Sequence, residues 1–370
     1  MASELSNRNI AFVHDYLLNP GGAERVLGAM AGVFPEAPIH ALLYDEEKIG
    51  HLFPKERVII SFLQRFPKFF QNRPKYLAPL LPIAAESFDL RDYELVISSS
   101  SAFAKGVVTR ARTTHICYCH SPMRYAWDFT HEYQTDTREK RTIRFPVRLI
   151  QHYLRLWDRT AADRVHYFIA NSKTVSARIK KYYRRDAAVI YPPVAVDAYR
   201  PTEAHDGYFL IVSRLVPYKR VDLAVQAFNK LQLPLVVAGD GVERKNLERI
   251  AGPTVQFLGP VSEEKKSELM ERCRAFIFPG EDDFGITAVE AMAAGKPVLA
   301  YRKGGVCETV IEGVTGEFFD DPAPEALADG VRRLRENLQS YDHALIRKRA
   351  EEFRTERFQK EFRAYLKNTF

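Results

Sequence analysis

Arg214 and Lys219 stand five residues apart in Ser213-Arg214-Leu215-Val216-Pro217-Tyr218-Lys219-Arg220. The segment follows an apolar run, Tyr208 to Val212, that reads as a strand, and it precedes a helical pattern from Val221. Two fixed cations on a strand-to-helix loop can both reach one diphosphate, the arginine through its planar fork and the lysine as a point charge. An ordinary surface ion pair is the competing reading. A second set lies in the stretch from Pro279 to Gly295, where Glu281, Asp282 and Asp283 precede a helical pattern and Glu290 lies on it. Carboxylates at the helix start can accept hydroxyl hydrogen bonds from a sugar, Glu290 can reach a turn or two deeper, and the amides of Phe284, Gly285 and Ile286 can donate. The acidic triplet could instead chelate a divalent cation. Arg214 and Lys219 already supply the charge a metal would bring to a diphosphate, so no metal is expected.

The first half of the chain offers other groups. Gly21-Gly22 precedes a helical pattern from Ala23 to Val33, where free amides and the positive dipole end favour an anion, although a plain loop explains the pair equally well. Asp15 ends the strand run that starts at Ile10; it could bind an acceptor hydroxyl or cap a loop. Leu95-Val96-Ile97 runs into Ser98-Ser99-Ser100-Ser101, with Lys105 close behind, and Ile116 to Tyr118 runs into His120-Ser121-Pro122. Ile169-Ala170 runs into Asn171-Ser172 in the same way. Polar groups are thus expected where strands end.

Those loops require parallel strands to carry them. The second half alternates strand runs (Tyr208 to Val212, Leu235 to Ala238, Val255 to Leu258, Ala275 to Phe278, Val298 to Tyr301) with helical patterns, the signature of a doubly wound α/β domain. Tyr191-Pro192-Pro193 breaks the chain between the halves. The expected organisation is two Rossmann-like domains, 1–200 and 201–350, with a C-terminal helix over 351–370 packing back toward the first. Its stripe of Phe353, Phe358, Phe362 and Tyr365 needs a surface to cover. Two open α/β domains in series would place a cleft at the carboxyl ends of their strands.

A length of 370 residues suits two domains, and 46% hydrophobic content excludes wholesale disorder. The apolar run Leu77 to Ala85 is far short of the about 20 residues that span a membrane. Met1 to Asn9 carries Glu4 and Arg8 and has no apolar core of a signal peptide behind it, so a cytoplasmic address is expected. The four cysteines are expected as reduced thiols. The net charge of +7 is uneven: residues 1–200 carry 29 Lys and Arg against 20 Asp and Glu, and the remainder 25 against 27. Much of the excess lies from Arg138 to Arg185 among Phe145, Leu149, Tyr153, Leu156 and Trp157, and more around Phe66-Pro67-Lys68-Phe69-Phe70. That mixture reads either as a solvated face or as a surface for anionic lipid or another polyanion.

Taken together, Gly21-Gly22-Ala23-Glu24-Arg25, Ser213-Arg214 with Lys219, and Phe284-Gly285 with Glu290-Ala291-Met292-Ala293-Ala294-Gly295 resemble the retaining glycosyltransferases of the GT4 family, which have the GT-B fold. The resemblance implies that Arg214 and Lys219 bind the donor diphosphate and that Glu290 contacts the ribose. The family's first glutamate falls on Asp282, so this shorter arm, or Glu281 beside it, must reach the sugar. Gly21, Gly22, Ser213, Phe284, Gly285 and Ile286 complete the implied donor site, and Asp15 and Lys105 the acceptor side. Tyr118-Cys119-His120-Ser121-Pro122, continuing to Asp128, resembles the strand-end histidine motif of the family's bacterial mannosyltransferases, which implies that His120 hydrogen-bonds the transferred sugar. Together with Lys303-Gly304-Gly305, this motif resembles GDP-mannose-using enzymes of surface polysaccharide assembly.

The resulting expectation is retaining transfer of a hexose, mannose from GDP-mannose, onto a saccharide or lipid-linked saccharide. His120, Arg214, Lys219 and Asp282 are the expected catalytic residues. Front-face substitution is implied, with no cofactor and no metal. Partners are a nucleotide-sugar, the acceptor and an anionic membrane surface, the enzyme lying in the cytoplasm or on the inner face of the cell membrane. A UDP-sugar donor and a sugar-nucleotide epimerase or hydrolase are alternatives within the fold. A nucleic-acid or membrane-binding module built on the basic half is the non-enzyme alternative, and it leaves Arg214, Lys219, Asp282 and Glu290 without a task.

Overall fold

The computed structural model describes residues 8–128 and 144–369. The chain divides into two compact units: Met1–Tyr191 with Phe358–Phe370, and Pro192–Arg357.

The first unit is built on seven parallel strands in the order β3-β2-β1-β4-β5-β6-β7: β1 Ile10–Leu17, β2 Ile39–Tyr44, β3 Val58–Ile60, β4 Leu95–Ser100, β5 Thr114–Cys119, β6 Tyr167–Ala170 and β7 Ala187–Val189. Parallel sheets are covered on both faces, which is why the central strands read as apolar runs rather than alternating ones. Phe12, Ile97 and Tyr118 turn to the face that also holds Phe358, Phe362 and Leu366. The aromatic stripe of the C-terminal helix Thr355–Thr369 is thereby buried in this unit, while Phe353 lies in the second unit against Phe284, ring centroids 5.4 Å apart. Ala11, Val13 and Val96 turn to the opposite face, beneath residues 77–107 and the helix Arg144–Asp163.

The second unit holds six parallel strands in the order β10-β9-β8-β11-β12-β13: β8 Phe209–Val212, β9 Leu235–Ala238, β10 Val255–Gly259, β11 Ala275–Phe278, β12 Val298–Tyr301 and β13 Gly316–Phe319. Helices Val221–Leu231, Arg244–Ile250, Glu263–Arg272, Ile286–Ala293 and Pro324–Glu336 connect and flank them. In each unit the strand order reverses once, at β1/β4 and at β8/β11. Ligands of open α/β sheets bind outside the carboxyl ends of the strands at such a reversal.

Two readings of the strands need correction. The serine run does not lie beyond β4: Ser98, Ser99 and Ser100 are buried within it. Each hydroxyl finds a partner, Ser98 Oγ with His115 Nε2 at 2.8 Å, Ser99 Oγ with His120 Nε2 at 2.8 Å, and Ser100 Oγ accepting from the Lys105 amide at 3.3 Å. Strands β2, β3, β7 and β13 were not among the expected runs. Of the basic stretch, Arg138 and Arg141 lie outside the described residues, as does Glu4.

Candidate active site

In the second unit Ser213 and Arg214 leave β8, and close backbone approaches fix the path of their loop. A Cβ at Gly239 would sit 1.9 Å from the Ser213 carbonyl oxygen, so the loop after β9 can lie against the loop after β8 only with glycine there. The Leu215 amide then donates to the Asp240 carbonyl at 2.9 Å, and the Glu243 amide to that of Leu215 at 3.0 Å. Gly280, just beyond β11, permits the same on the other side: a Cβ there would lie 2.6 Å from the Tyr218 carbonyl oxygen and 2.7 Å from Lys219 backbone. Lys219 is thereby laid over the acidic loop, where its Nζ donates to Asp282 Oδ2 at 2.5 Å. Asp282 Oδ1 accepts the Asp283 amide at 3.0 Å, and the Asp282 carbonyl accepts the Gly305 amide at 2.9 Å, which ties Lys303-Gly304-Gly305 to the same corner. Arg214 remains exposed, with Nη2 donating to the Tyr218 hydroxyl at 2.8 Å.

Gly285, at φ +89°, turns the chain into the helix Ile286–Ala293 behind buried Phe284. Glu290 on that helix is almost wholly buried, its Oε1 accepting from Lys266 Nζ at 3.0 Å; Lys266 lies in turn 2.8 Å from Glu263. Arg214, Lys219, Glu281, Asp282 and the start of this helix are therefore gathered at the β8/β11 reversal. Lys219 is paired with Asp282, so of the two cations read from the sequence one already has an ion-pair partner. A part-buried ammonium held by a carboxylate is preorganised, and a diphosphate entering beside it competes for or shares that donor.

In the first unit a buried relay runs across the ends of β1, β4 and β5. His14 lies opposite Ser99 in the β1/β4 register, and Ser99 opposite Tyr118 in β4/β5. His14 Nδ1 donates to the Ser99 carbonyl at 3.1 Å, and its Nε2 lies 3.5 Å from Glu24 Oε1 on the helix Gly22–Ala31. His120 Nε2 meets Ser99 Oγ at 2.8 Å, while Asn171 Nδ2 donates to the His120 carbonyl at 2.9 Å. Burial, with His14 adding to it, pushes the His120 imidazole down to about 3. A neutral imidazole hydrogen-bonded through one nitrogen is suited to holding a hydroxyl and unsuited to supplying a positive charge. Gly21 caps the helix without a side chain, its β-carbon direction closed by Glu24 Oε2 at 2.6 Å, and Gly22 is exposed.

Two acceptor-side expectations are corrected. Asp15 takes the loop-capping alternative: Oδ2 accepts the amides of Ser101 and Ala102 at 2.6 and 2.9 Å, and Oδ1 those of Phe103 and Ala104 at 2.7 and 2.6 Å. A carboxylate offers about four lone-pair sites, and all are used. Lys105 is buried, its Nζ donating to the Ala102 carbonyl at 2.5 Å and to Asp158. Burial alone would lower this ammonium, but Asp158 more than offsets it and holds it above the usual lysine range. Asp158 also accepts Trp127 Nε1 and the Tyr183 hydroxyl, each at 2.8 Å, and so clamps the segment that follows His120. Neither Asp158 nor Lys266 stood out in the sequence, and Glu24 and Ser99, quoted there within their segments, were not read as partners of His14 and His120. Asp158 sits in Leu156-Trp157-Asp158-Arg159, where a helical surface ion pair is the natural reading.

Two Rossmann-like sheets, each with polar groups gathered at its strand-order reversal, define a glycosyltransferase of the GT-B type once the comparisons are added. Residues 20–198 match the family described as Glycosyltransferase Family 4, and residues 200–352 match Glycosyl transferases group 1. The chain belongs to the GT4-type glycosyltransferases. An uncharacterized glycosyltransferase of Methanocaldococcus jannaschii is 29% identical over 48% of this chain and 51% of its own length, so the chain spans only about half of that relative. The alpha-1,3/1,6-mannosyltransferase ALG2 of Candida glabrata is 26% identical over 82% of this chain and 78% of its own. Among solved structures, Anabaena HepE in complex with UDP and glucose superposes with a TM-score of 0.72 at 21% identity, covering 98% of this chain and 100% of HepE. Sucrose-phosphate synthase of Thermosynechococcus elongatus gives 0.73 at 15%, over 97% and 99%. At these identities the two structures speak to fold.

Proposed function

We propose that the chain transfers mannose from GDP-mannose, with retention of anomeric configuration, to a hydroxyl of a saccharide. The observation that carries the reading is the convergence of Arg214, Lys219 and the Glu281-Asp282 loop at the β8/β11 reversal, a diphosphate grip beside sugar-hydroxyl acceptors. Mannose as the sugar is supported by ALG2, a protein named as a mannosyltransferase that aligns over most of the chain. In the transfer the bond from the anomeric carbon to the diphosphate oxygen breaks and a bond to the acceptor oxygen forms on the same face. The acceptor's proton goes to the departing diphosphate. Arg214 and Lys219 stabilise the charge on that leaving group.

A second reading, a UDP-sugar donor, is favoured by HepE, whose structures hold UDP and UDP-glucose. A panel of GDP-mannose, UDP-glucose, UDP-galactose and UDP-N-acetylglucosamine, scored for nucleoside diphosphate release with and without a mannose-terminated oligosaccharide, separates the readings. Acceptor-dependent GDP release supports the proposal. Acceptor-dependent UDP release replaces the donor, and release that ignores the acceptor makes the chain a hydrolase.

A further inference from the structure

Residues 57–85 hold five cations, Arg57, Arg65, Lys68, Arg73 and Lys75, and no aspartate or glutamate. Arg57 is spent inside the fold, donating to the carbonyls of Ala31, Phe34 and Ala37; the other four are exposed. Large apolar side chains stand out among them. Phe69 and Tyr76 are both more than half exposed and stack at 5.9 Å, with the Arg73 guanidinium 4.5 Å over the Phe69 ring and Lys75 Nζ 5.1 Å over that of Tyr76. Ile83, on the helix Leu81–Glu86, is more than half exposed as well.

The helix Arg144–Asp163 repeats this composition. Leu154, Trp157 and Ala161 pack into the core, while Leu149, Tyr153 and Leu156 form an exposed stripe at spacings of four and three, flanked by exposed Arg148 and His152. Its acids add no charge to that side: Asp158 is buried against Lys105, and Asp163 pairs with Arg159. Both segments cover one face of the first unit's sheet, since Leu77, Leu81, Leu154 and Trp157 share one buried cluster, and Trp157 Nε1 donates to Glu86 Oε1 at 2.8 Å. Both lie on the face of that sheet opposite the C-terminal helix.

We propose that this face docks on an anionic lipid bilayer, with Phe69, Tyr76, Ile83, Leu149 and Leu156 entering the interface and Lys68, Arg73, Lys75 and Arg148 meeting head groups. The aliphatic members select the partner. A nucleic-acid backbone offers phosphates to the cations but nothing to an exposed isoleucine and two leucines, whereas the acyl boundary of a bilayer takes both. Among the described residues no helix is long and apolar enough to cross a membrane. The inference stands on the first unit alone and is independent of the donor.

The test is co-sedimentation of the full chain with vesicles of pure phosphatidylcholine, or of phosphatidylcholine with one part in three phosphatidylglycerol. Binding is expected on the anionic vesicles at about 0.1 M salt and to fall steeply at about 1 M, where the screening length shrinks from about 10 to about 3 Å. The pair Lys68→Gln and Lys75→Gln is expected to weaken it about thirtyfold, from about tenfold per 1.4 kcal/mol and the pull of each cation near such a surface. Leu149→Ser with Leu156→Ser is expected to weaken it at least about tenfold, with the circular dichroism of wild type, since both side chains leave water only on docking. Equal binding to neutral and anionic vesicles, no binding at about 0.1 M salt, unchanged binding of both variants, or retention on RNA with none on vesicles would each overturn the proposal.

Discussion

Asp15→Ala separates a loop cap from a substrate contact. The carboxylate is 4% exposed and accepts four consecutive amides, from Ser101 to Ala104, at 2.6 to 2.9 Å. Each buried amide left without a partner costs about 1–3 kcal/mol, so four would cost on the order of 4–12 if nothing relaxed. Ser101 is exposed, and its end of the loop can take up water. The three amides that remain give an expected loss of about 3–9 kcal/mol. In a unit of roughly 200 residues 1 kcal/mol shifts the midpoint by about 2–4 °C, so its thermal transition should drop by roughly 6 °C or more. Asp15→Asn keeps one acceptor oxygen but turns an NH2 toward two donors, and should fall between. Differential scanning calorimetry is the assay, reading the transition of the first unit separately because two units need not unfold as one. A variant that melts within about 2 °C of wild type and yet loses transfer would refute the capping role and return Asp15 to the acceptor.

Three further outcomes are expected. Lys105→Met strands Asp158 in the core and should cost the first unit about 3–5 kcal/mol in urea unfolding, whereas an acceptor-binding lysine would raise KM and leave stability alone. His40, His115 and His120 are held by burial at about 4, 3 and 3, below the usual 6.5, so each is neutral when folded and takes up a proton on unfolding. Their stabilisation is complete above about pH 6.5 and drains away as pH falls toward 4 and 3, at up to about 1.4 kcal/mol per pH unit for each; a flat stability between pH 7 and 5 would contradict this. Transfer should continue in excess EDTA, because in the proposed reaction Lys219 and Arg214 carry the leaving-group charge; loss of activity restored only by a divalent ion would assign the Glu281-Asp282-Asp283 loop to metal.

The sequence was informative where function depends on local order and silent where it depends on distant pairing. Strands β8, β9, β11 and β12 appear as apolar runs bounded by turn residues, because both faces of a parallel sheet are buried, and the loops that follow them carry Arg214, Lys219 and Asp282 in plain view. Strand β3 was invisible, since Val58–Ile60 is a three-residue edge strand with two exposed positions. The serines of β4 looked like a loop because three polar residues in a buried strand are tolerated only when each has a partner, here His115, His120 and the Lys105 amide, which lie 5 to 21 residues further on. Asp15 and Lys105 were assigned to the acceptor because nothing near them in sequence marks four amides 86–89 residues away, or an aspartate 53 away, as their partners. Glu290 was placed on its helix by the sequence pattern, but its pairing with Lys266 belongs to the fold.

Isothermal titration of GDP-mannose into the wild-type chain and into Arg214→Ala and Lys219→Ala tests most directly that this loop grips the donor diphosphate. One charge-assisted hydrogen bond contributes about 1.5–3 kcal/mol, so each variant should bind about 10- to 150-fold more weakly. Lys219→Ala should lie at the upper end, because it also removes the ammonium that Asp282 Oδ2 accepts from and leaves that negative charge facing the phosphates. Wild-type affinity in both variants, or no binding of any sugar nucleotide to the intact chain, would contradict the assignment.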